Sequence, residues 1–164
     1  GMVAQYSKDE SLSLPTIIAL CETSSRHFLT LAEQDITGFN GVMAAYGLPA
    51  TDAAAKQLKQ AALQQALEAA AQAPTEMIKA CIALLSTALT LCNLGNKNLI
   101  TDVGIAASLL LSCIQSSRLN LLVNLKAIKN QTFIDDSLSL LAATATPIAD
   151  FNQLIDSIET GLAP

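Results

Sequence analysis

Tryptophan is absent from the 164 residues, phenylalanine and tyrosine number four and two, and charged side chains reach only 14%, against a usual share of about 25%. The 51% hydrophobic content comes mainly from Ala, Leu and Ile. Helix formers dominate and β-rich folds are excluded. A mean hydropathy of +0.42 excludes disorder as well, and the length suits one all-α domain spanning residues 1–164.

Metal-ligand types are equally sparse. His27 is the single histidine, and the cysteines at 21, 81, 92 and 113 form no CxxC pair. Neither a zinc site nor a c-type haem attachment has its ligands, so no metal is expected. Nine basic against fourteen acidic residues give a net charge of −5 without a Lys/Arg cluster, which removes the electrostatic footprint of a nucleic-acid partner. There is no phosphate-binding glycine loop and no nucleophile elbow. Scattered thiols without a signal peptide point to a reducing cytoplasm.

Long uncharged runs are present. Between Ala80 and Ser117 the only charges are Lys97 and Asp102. The run is interrupted at Asn93-Leu94-Gly95-Asn96, each half falls short of about 18 apolar residues, and no Lys/Arg anchors flank it, so no membrane partner is expected. Helices apolar all round in a soluble chain are buried on several sides. With so little charge to cover a monomer, self-association through these helices is expected.

The chain reads as an up-and-down bundle of about five long helices. Pro15 opens the first, which runs through Leu14, Ile17, Ile18, Cys21, Phe28, Ala32, Phe39, Val42 and Tyr46 until Gly47 and Pro49, with Ser25 and Asp35 as polar interruptions. Thr51 is expected to cap a second, Ala/Gln-rich helix that ends where Pro74 intervenes. A third starts near Pro74 and ends at Gly95. A fourth, from about Thr101 to Ile128, is apolar on nearly every face and should be central. Asn130 starts a last helix that Pro147 kinks or breaks, and the stretch carrying Asp150, Asp156 and Glu159 reads as solvated.

Asp35 stands in line with Phe28, Ala32, Phe39 and Val42. A carboxylate on an apolar face needs a dedicated donor or a raised pKa. Two readings follow: a structural carboxylate paired with an Arg, an Asn or a helix N-terminus, or a general acid/base. Asn120 and Asn124, four apart on one face, either hydrogen bond across a helix interface or line a polar pocket with Lys126. Around Asn96, Thr101 and Asp102 the plain reading is helix capping by Thr101 or Asn98, with Asp102 favourable to the dipole. His27 reads as a surface or packed side chain, and the cysteines as small core hydrophobes.

Three ordered blocks are more specific than any of these patterns: Leu31 to Pro49 (LAEQDITGFNGVMAAYGLP), Gly95 to Ala107 (GNKNLITDVGIAA) and Asn120 to Lys129 (NLLVNLKAIK). Together they resemble the formiminotransferase-cyclodeaminase family, specifically its helical cyclodeaminase domain and the related methenyltetrahydrofolate cyclohydrolases. The resemblance covers residues 2–140, and residues 141–164 add an acidic C-terminal helix. It implies an all-helical homodimer acting on a tetrahydrofolate one-carbon adduct, without a metal, at a groove near the subunit interface. It also implies a catalytic role for Asp35 and substrate contacts for Asn96, Asp102, Asn120, Asn124 and Lys126.

The activity implied is formiminotetrahydrofolate cyclodeamination, with cyclohydrolase chemistry and a non-catalytic homodimer as alternatives. One departure stands out. Family members begin with a Pro-Gly-Gly-Gly-Ser segment leading into a helix, and Met2-Val-Ala-Gln-Tyr-Ser resembles only the far end of that helix. The expectation is that the native N-terminus lies further upstream, the alternative being a variant that has lost the segment and with it a ligand cradle.

Overall fold

The computed structural model describes residues 1–8 and 13–163. Its elements are α1 (Met2–Gln5), α2 (Leu14–Gly47), α3 (Ala53–Ala83), α4 (Leu85–Leu94), a 3₁₀ turn (Lys97–Leu99), α5 (Ile100–Leu125), α6 (Gln131–Ala143) and α7 (Ala145–Leu162). No strand occurs among the described residues, and the architecture is the expected all-α bundle.

Two crossings fix the register. Lys59 Nζ donates to the carbonyls of Tyr46 and Leu48 at 2.6 and 2.9 Å, so α3 returns antiparallel to α2. Gln64 donates to the Ala127 carbonyl at 2.9 Å and accepts from the Lys129 N–H at 2.7 Å, so α5 is antiparallel to α3. Helix α3 thus packs against both long neighbours. At one contact between α2 and α3, a methyl on Gly38 would lie 2.8 Å from the Ala70 backbone. Gly38→Ala is therefore expected to lower stability by about 1–3 kcal/mol through overpacking, read as a shift in the urea midpoint at unchanged slope.

The core has two centres. One gathers Phe151, Leu154 and Ile158 of α7 with Val103, Ala107 and Ile114 of α5 and with Val3 and Ala4 of α1. The other joins Leu67, Ala71 and Ile78 of α3 to Leu121 and Leu125 of α5 and Leu141 of α6. Arg118 of α5 pins the α6–α7 junction by donating to the Leu141 carbonyl and to the fully buried Thr144 hydroxyl.

Several sequence expectations need correction. Pro74 does not end a helix; it is buried inside α3, and the interruption falls at Leu84. The ring is buried among Ala70, Ala71 and Ala73, and the packing of α3 against α2 and α5 outweighs the lost N–H bond and the clash with the Ala70 carbonyl that an interior proline brings. Asp52, not Thr51, caps α3, accepting from the Ala55 N–H at 2.8 Å. Pro147 sits in the first turn of α7, where its missing N–H is harmless, and the break precedes it at Thr144. The terminal helix is not merely solvated, because it buries Phe151, Leu154 and Ile158.

Taken across the break at Leu84, Ala53–Leu94 holds an 18-residue window apolar enough to cross a membrane by length and composition, and so does Lys97–Leu125; 22% of either window is buried. The remaining residues divide between half-buried and exposed positions.

Candidate active site

A cleft of about 620 Å³ opens between α2, α4 and α5, walled by Phe28, Ala88, Leu91, Val103 and Leu110. Its polar groups are few: Ser24 and Ser25 from α2, Thr87 from α4, and Asp102 from the first turn of α5. The volume is in the range of small-molecule sites, which combine apolar walls with a few polar groups. Ser25 was already visible as a break in the α2 stripe. Ser24 and Thr87 gave no such signal, since a serine or threonine on a helix more often faces water.

Beside the cleft, Tyr6, Lys8, Asn96 and Asn98 line a second hollow of about 390 Å³. Asn96 is the cap of the 3₁₀ turn, in place of the expected Thr101 or Asn98, and its side chain accepts from the Asn98 N–H at 3.0 Å. It also ties the loop to the N-terminal turn: its Nδ2 donates to the Tyr6 carbonyl at 3.0 Å and its N–H to the Ser7 hydroxyl at 2.9 Å.

Asp35 lies on the inner stripe of α2, with Phe28, Leu31, Gly38, Val42 and Ala45, all buried or half-buried. The stripe read from sequence mixed two faces, since Ala32, Phe39 and Tyr46 belong to the outer one. Asp35 itself is half-buried, not enclosed. No cation meets it: the only ion pair among the described residues joins Lys79 to Glu76 at 2.7 Å. Counting from the crossings at Gly38 and Ala70 and at Met77 and Ser117 places it level with Ala73 on α3 and Leu121 on α5.

Asn120, Asn124 and Lys126 occupy the far end of α5. The Asn124 Nδ2 donates to the Asn120 carbonyl at 3.1 Å, and Lys126 borders an apolar hollow with Leu119, Leu122 and Val123. At 1.5 Å per residue, Asn120 lies about 27 Å and Lys126 about 36 Å along the axis from Asp102. The chain therefore does not gather the six candidate residues at one place. Asn96 and Asp102 stand at one end of α5, Asn120, Asn124 and Lys126 at the other, with Asp35 nearer the latter. His27 is exposed.

Cys81 and Cys113 meet across α3 and α5, which their spacing in sequence did not reveal. Their hydrogen bond, then burial, pushes the Cys81 thiol far up, while the same bond pulls Cys113 down to about 6 against the effect of its own burial. Among the described residues no three His, Cys, Asp or Glu side chains are gathered to hold a metal ion.

The class so defined is an antiparallel helical bundle with a small-molecule cleft opening onto an exposed apolar face. The sequence model of the formiminotransferase-cyclodeaminase family matches residues 2–142, and the chain belongs to that family. It is 28% identical over 142 residues, 87% of this chain and 68% of the relative, to a methenyltetrahydrofolate cyclohydrolase from Methylorubrum extorquens. Among solved structures it is similar to formiminotetrahydrofolate cyclodeaminase from Thermotoga maritima, with a TM-score of 0.82 and 28% identity, covering 98% of this chain and 79% of that one.

Proposed function

We propose that this chain is a formiminotetrahydrofolate cyclodeaminase acting as a homodimer. The observation that carries the reading is the likeness to the Thermotoga maritima cyclodeaminase, which extends over 98% of the chain at a TM-score of 0.82. In the reaction, N10 of 5-formiminotetrahydrofolate attacks the carbon of the protonated formimino group borne by N5 and forms the new C–N bond. The bond from that carbon to the exocyclic nitrogen then breaks, ammonia leaves, and the 5,10-methenyl ring remains.

Two proton movements accompany this, one off N10–H and one onto the departing nitrogen. A single carboxylate can perform both in turn. Asp35 suits the task because no cation neutralises it. The amides of Asn96, Asn120 and Asn124, the Asp102 carboxylate and Lys126 are assigned to holding the pterin and the tetrahedral intermediate.

The second reading, methenyltetrahydrofolate cyclohydrolase, is favoured by the relative of that name from Methylorubrum extorquens. There the same site activates water, which opens the methenyl ring to 10-formyltetrahydrofolate. Folate and a second copy of the chain are the partners in either reading, and neither nucleic acid nor a membrane has a place in it.

Methenyl absorbance separates the readings. A rise on mixing with 5-formiminotetrahydrofolate is the expected result. A fall with 5,10-methenyltetrahydrofolate, and no rise with the formimino compound, would establish the hydrolase instead. No change with either substrate would leave a non-catalytic helical homodimer.

A further inference from the structure

Cys81 and Cys113 take no part in the folate chemistry, yet α3 and α5 bring them together. Their register is fixed independently of the thiols. The Ser117 hydroxyl of α5 donates to the Met77 sulfur of α3 at 3.7 Å, and in an antiparallel pair one turn forward on one helix meets one turn back on the other. That step leads from Met77 to Cys81 and from Ser117 to Cys113. Both cysteines pack in the core centre that holds Ala88, Val103 and Ile114, and both are free thiols.

The two thiols are unlike. Cys81 is fully buried, whereas Cys113 is half-buried and keeps some access to solvent. The Cys81 S–H donates to the Cys113 sulfur, which raises Cys81 and lowers Cys113 to about 6; burial opposes that fall and the Ser117 hydroxyl adds to it. At neutral pH Cys113 is therefore mostly thiolate, the nucleophilic form, while a thiol of ordinary acidity is thiolate only to a few per cent.

We propose that Cys113 and Cys81 form a peroxide-responsive dithiol, in which a small hydroperoxide oxidises Cys113 and Cys81 resolves the product into a reversible disulfide between α3 and α5. In the first step the Cys113 sulfur attacks one oxygen of hydrogen peroxide. The S–O bond forms, the O–O bond breaks, and the departing hydroxide takes up the proton that Cys113 had released, leaving as water. Cys113 is oxidised by two electrons to a sulfenic acid, and the peroxide is reduced by the same two. In the second step the Cys81 sulfur attacks that of Cys113. The S–S bond forms, the S–O bond breaks, and hydroxide leaves as water with the proton that Cys81 gives up. Two thiols and one peroxide become one disulfide and two waters.

The first step also frees Cys81 for the second. The hydrogen bond that raises it most, and the charge behind that bond, are lost once Cys113 is a neutral sulfenic acid. In a compartment rich in thiols such a disulfide is transient, as redox-sensing pairs are. Its closure encircles residues 82–112, which hold α4, the 3₁₀ turn and the start of α5. Thr87, Ala88, Leu91 and Asp102 of the 620 Å³ cleft lie in that segment, so oxidation ties the cleft wall to α3.

The test treats the full chain with near-equimolar hydrogen peroxide at neutral pH, caps the remaining thiols by alkylation and maps all four cysteines by mass spectrometry. Cys81 and Cys113 should appear in one linked peptide pair, lighter by two hydrogens, about tenfold or more ahead of any oxidation at Cys21 or Cys92, and a thiol reductant should reverse the link. The Cys81→Ser variant should stop at a sulfenic acid on Cys113 that dimedone traps. The Cys113→Ser variant should leave Cys81 unoxidised. Because the order of reaction is read on the parent chain, the outcome does not depend on either variant folding. Oxidation that falls first on Cys21 or Cys92, a link to either of them or between two chains, or four thiols that all survive would overturn the proposal.

Discussion

Replacing Asp35 by asparagine is expected to lower kcat on 5-formiminotetrahydrofolate by about 10²–10⁴-fold, the usual contribution of a positioned general acid/base. That corresponds to about 3–5 kcal/mol of transition-state stabilisation. The amide keeps the shape and much of the hydrogen bonding of the carboxylate but cannot take a proton from N10–H or return one to the leaving nitrogen. KM should therefore change little. Stability should also hold, because no ion pair is lost: the only pair among the described residues is remote, between Lys79 and Glu76.

The competing reading of Asp35, a structural carboxylate held by neighbouring donors, predicts the reverse pattern. Replacing it would then weaken the contacts that hold α2 in place, so the folded state would suffer and turnover would not. A variant with kcat within a factor of about three of the parent and a clearly lower urea midpoint would refute the catalytic assignment. Measuring kcat, KM and the midpoint on one preparation separates the two roles.

What the sequence made legible was set by local rules. Pro15 at the start of α2 and Gly47 at its end bounded that helix correctly, since φ restriction and the missing proline N–H act within a single turn. Asn130 capped α6 as expected, accepting from the Phe133 N–H at 3.2 Å. Pro74 misled because its penalty, a lost N–H and a clash with the carbonyl four residues back, is local, whereas the packing of α3 against both α2 and α5 that outweighs it is tertiary and leaves no local signal.

Faces and register were harder to read. On α2 the inner stripe containing Leu31 and Asp35 and the outer one containing Ala32 and Ile36 differ by a single residue, about 100° of rotation. Both are apolar, so hydrophobicity alone could not say which met α3. The meeting of Cys81 with Cys113 depends on the antiparallel register of α3 and α5, fixed by contacts such as Ser117 with Met77 at 3.7 Å. Spacing along the chain contains no trace of it. The distribution of the candidate residues over both ends of α5 had the same cause: helical periodicity places residues on a face, while the rise of about 1.5 Å per residue separates them along it.

Phe39→Asp is expected to raise the dimer dissociation constant by about 10³-fold or more, leaving a folded monomer without cyclodeaminase activity. Phe39 belongs to the outer stripe of α2 with Leu29, Ile36, Met43 and Tyr46, each more than half exposed in one subunit. Leu29 of this stripe borders the 620 Å³ cleft together with Leu109 of α5, so a second copy covering this stripe would close over the cleft. Burying one phenylalanine side chain contributes roughly 1.5–3 kcal/mol. A two-fold axis counts that loss twice, and two carboxylates would have to be desolvated at the contact. Since 1.4 kcal/mol is about a tenfold change in affinity, the sum exceeds three decades. Phe39 is 63% exposed, so helix content and the unfolding midpoint of the isolated subunit should change little. Sedimentation equilibrium across a thousandfold range of concentration reads the effect. A dimer as tight as the parent would place the α2 stripe outside the interface, and a monomer with full turnover would show that one subunit alone holds the complete site.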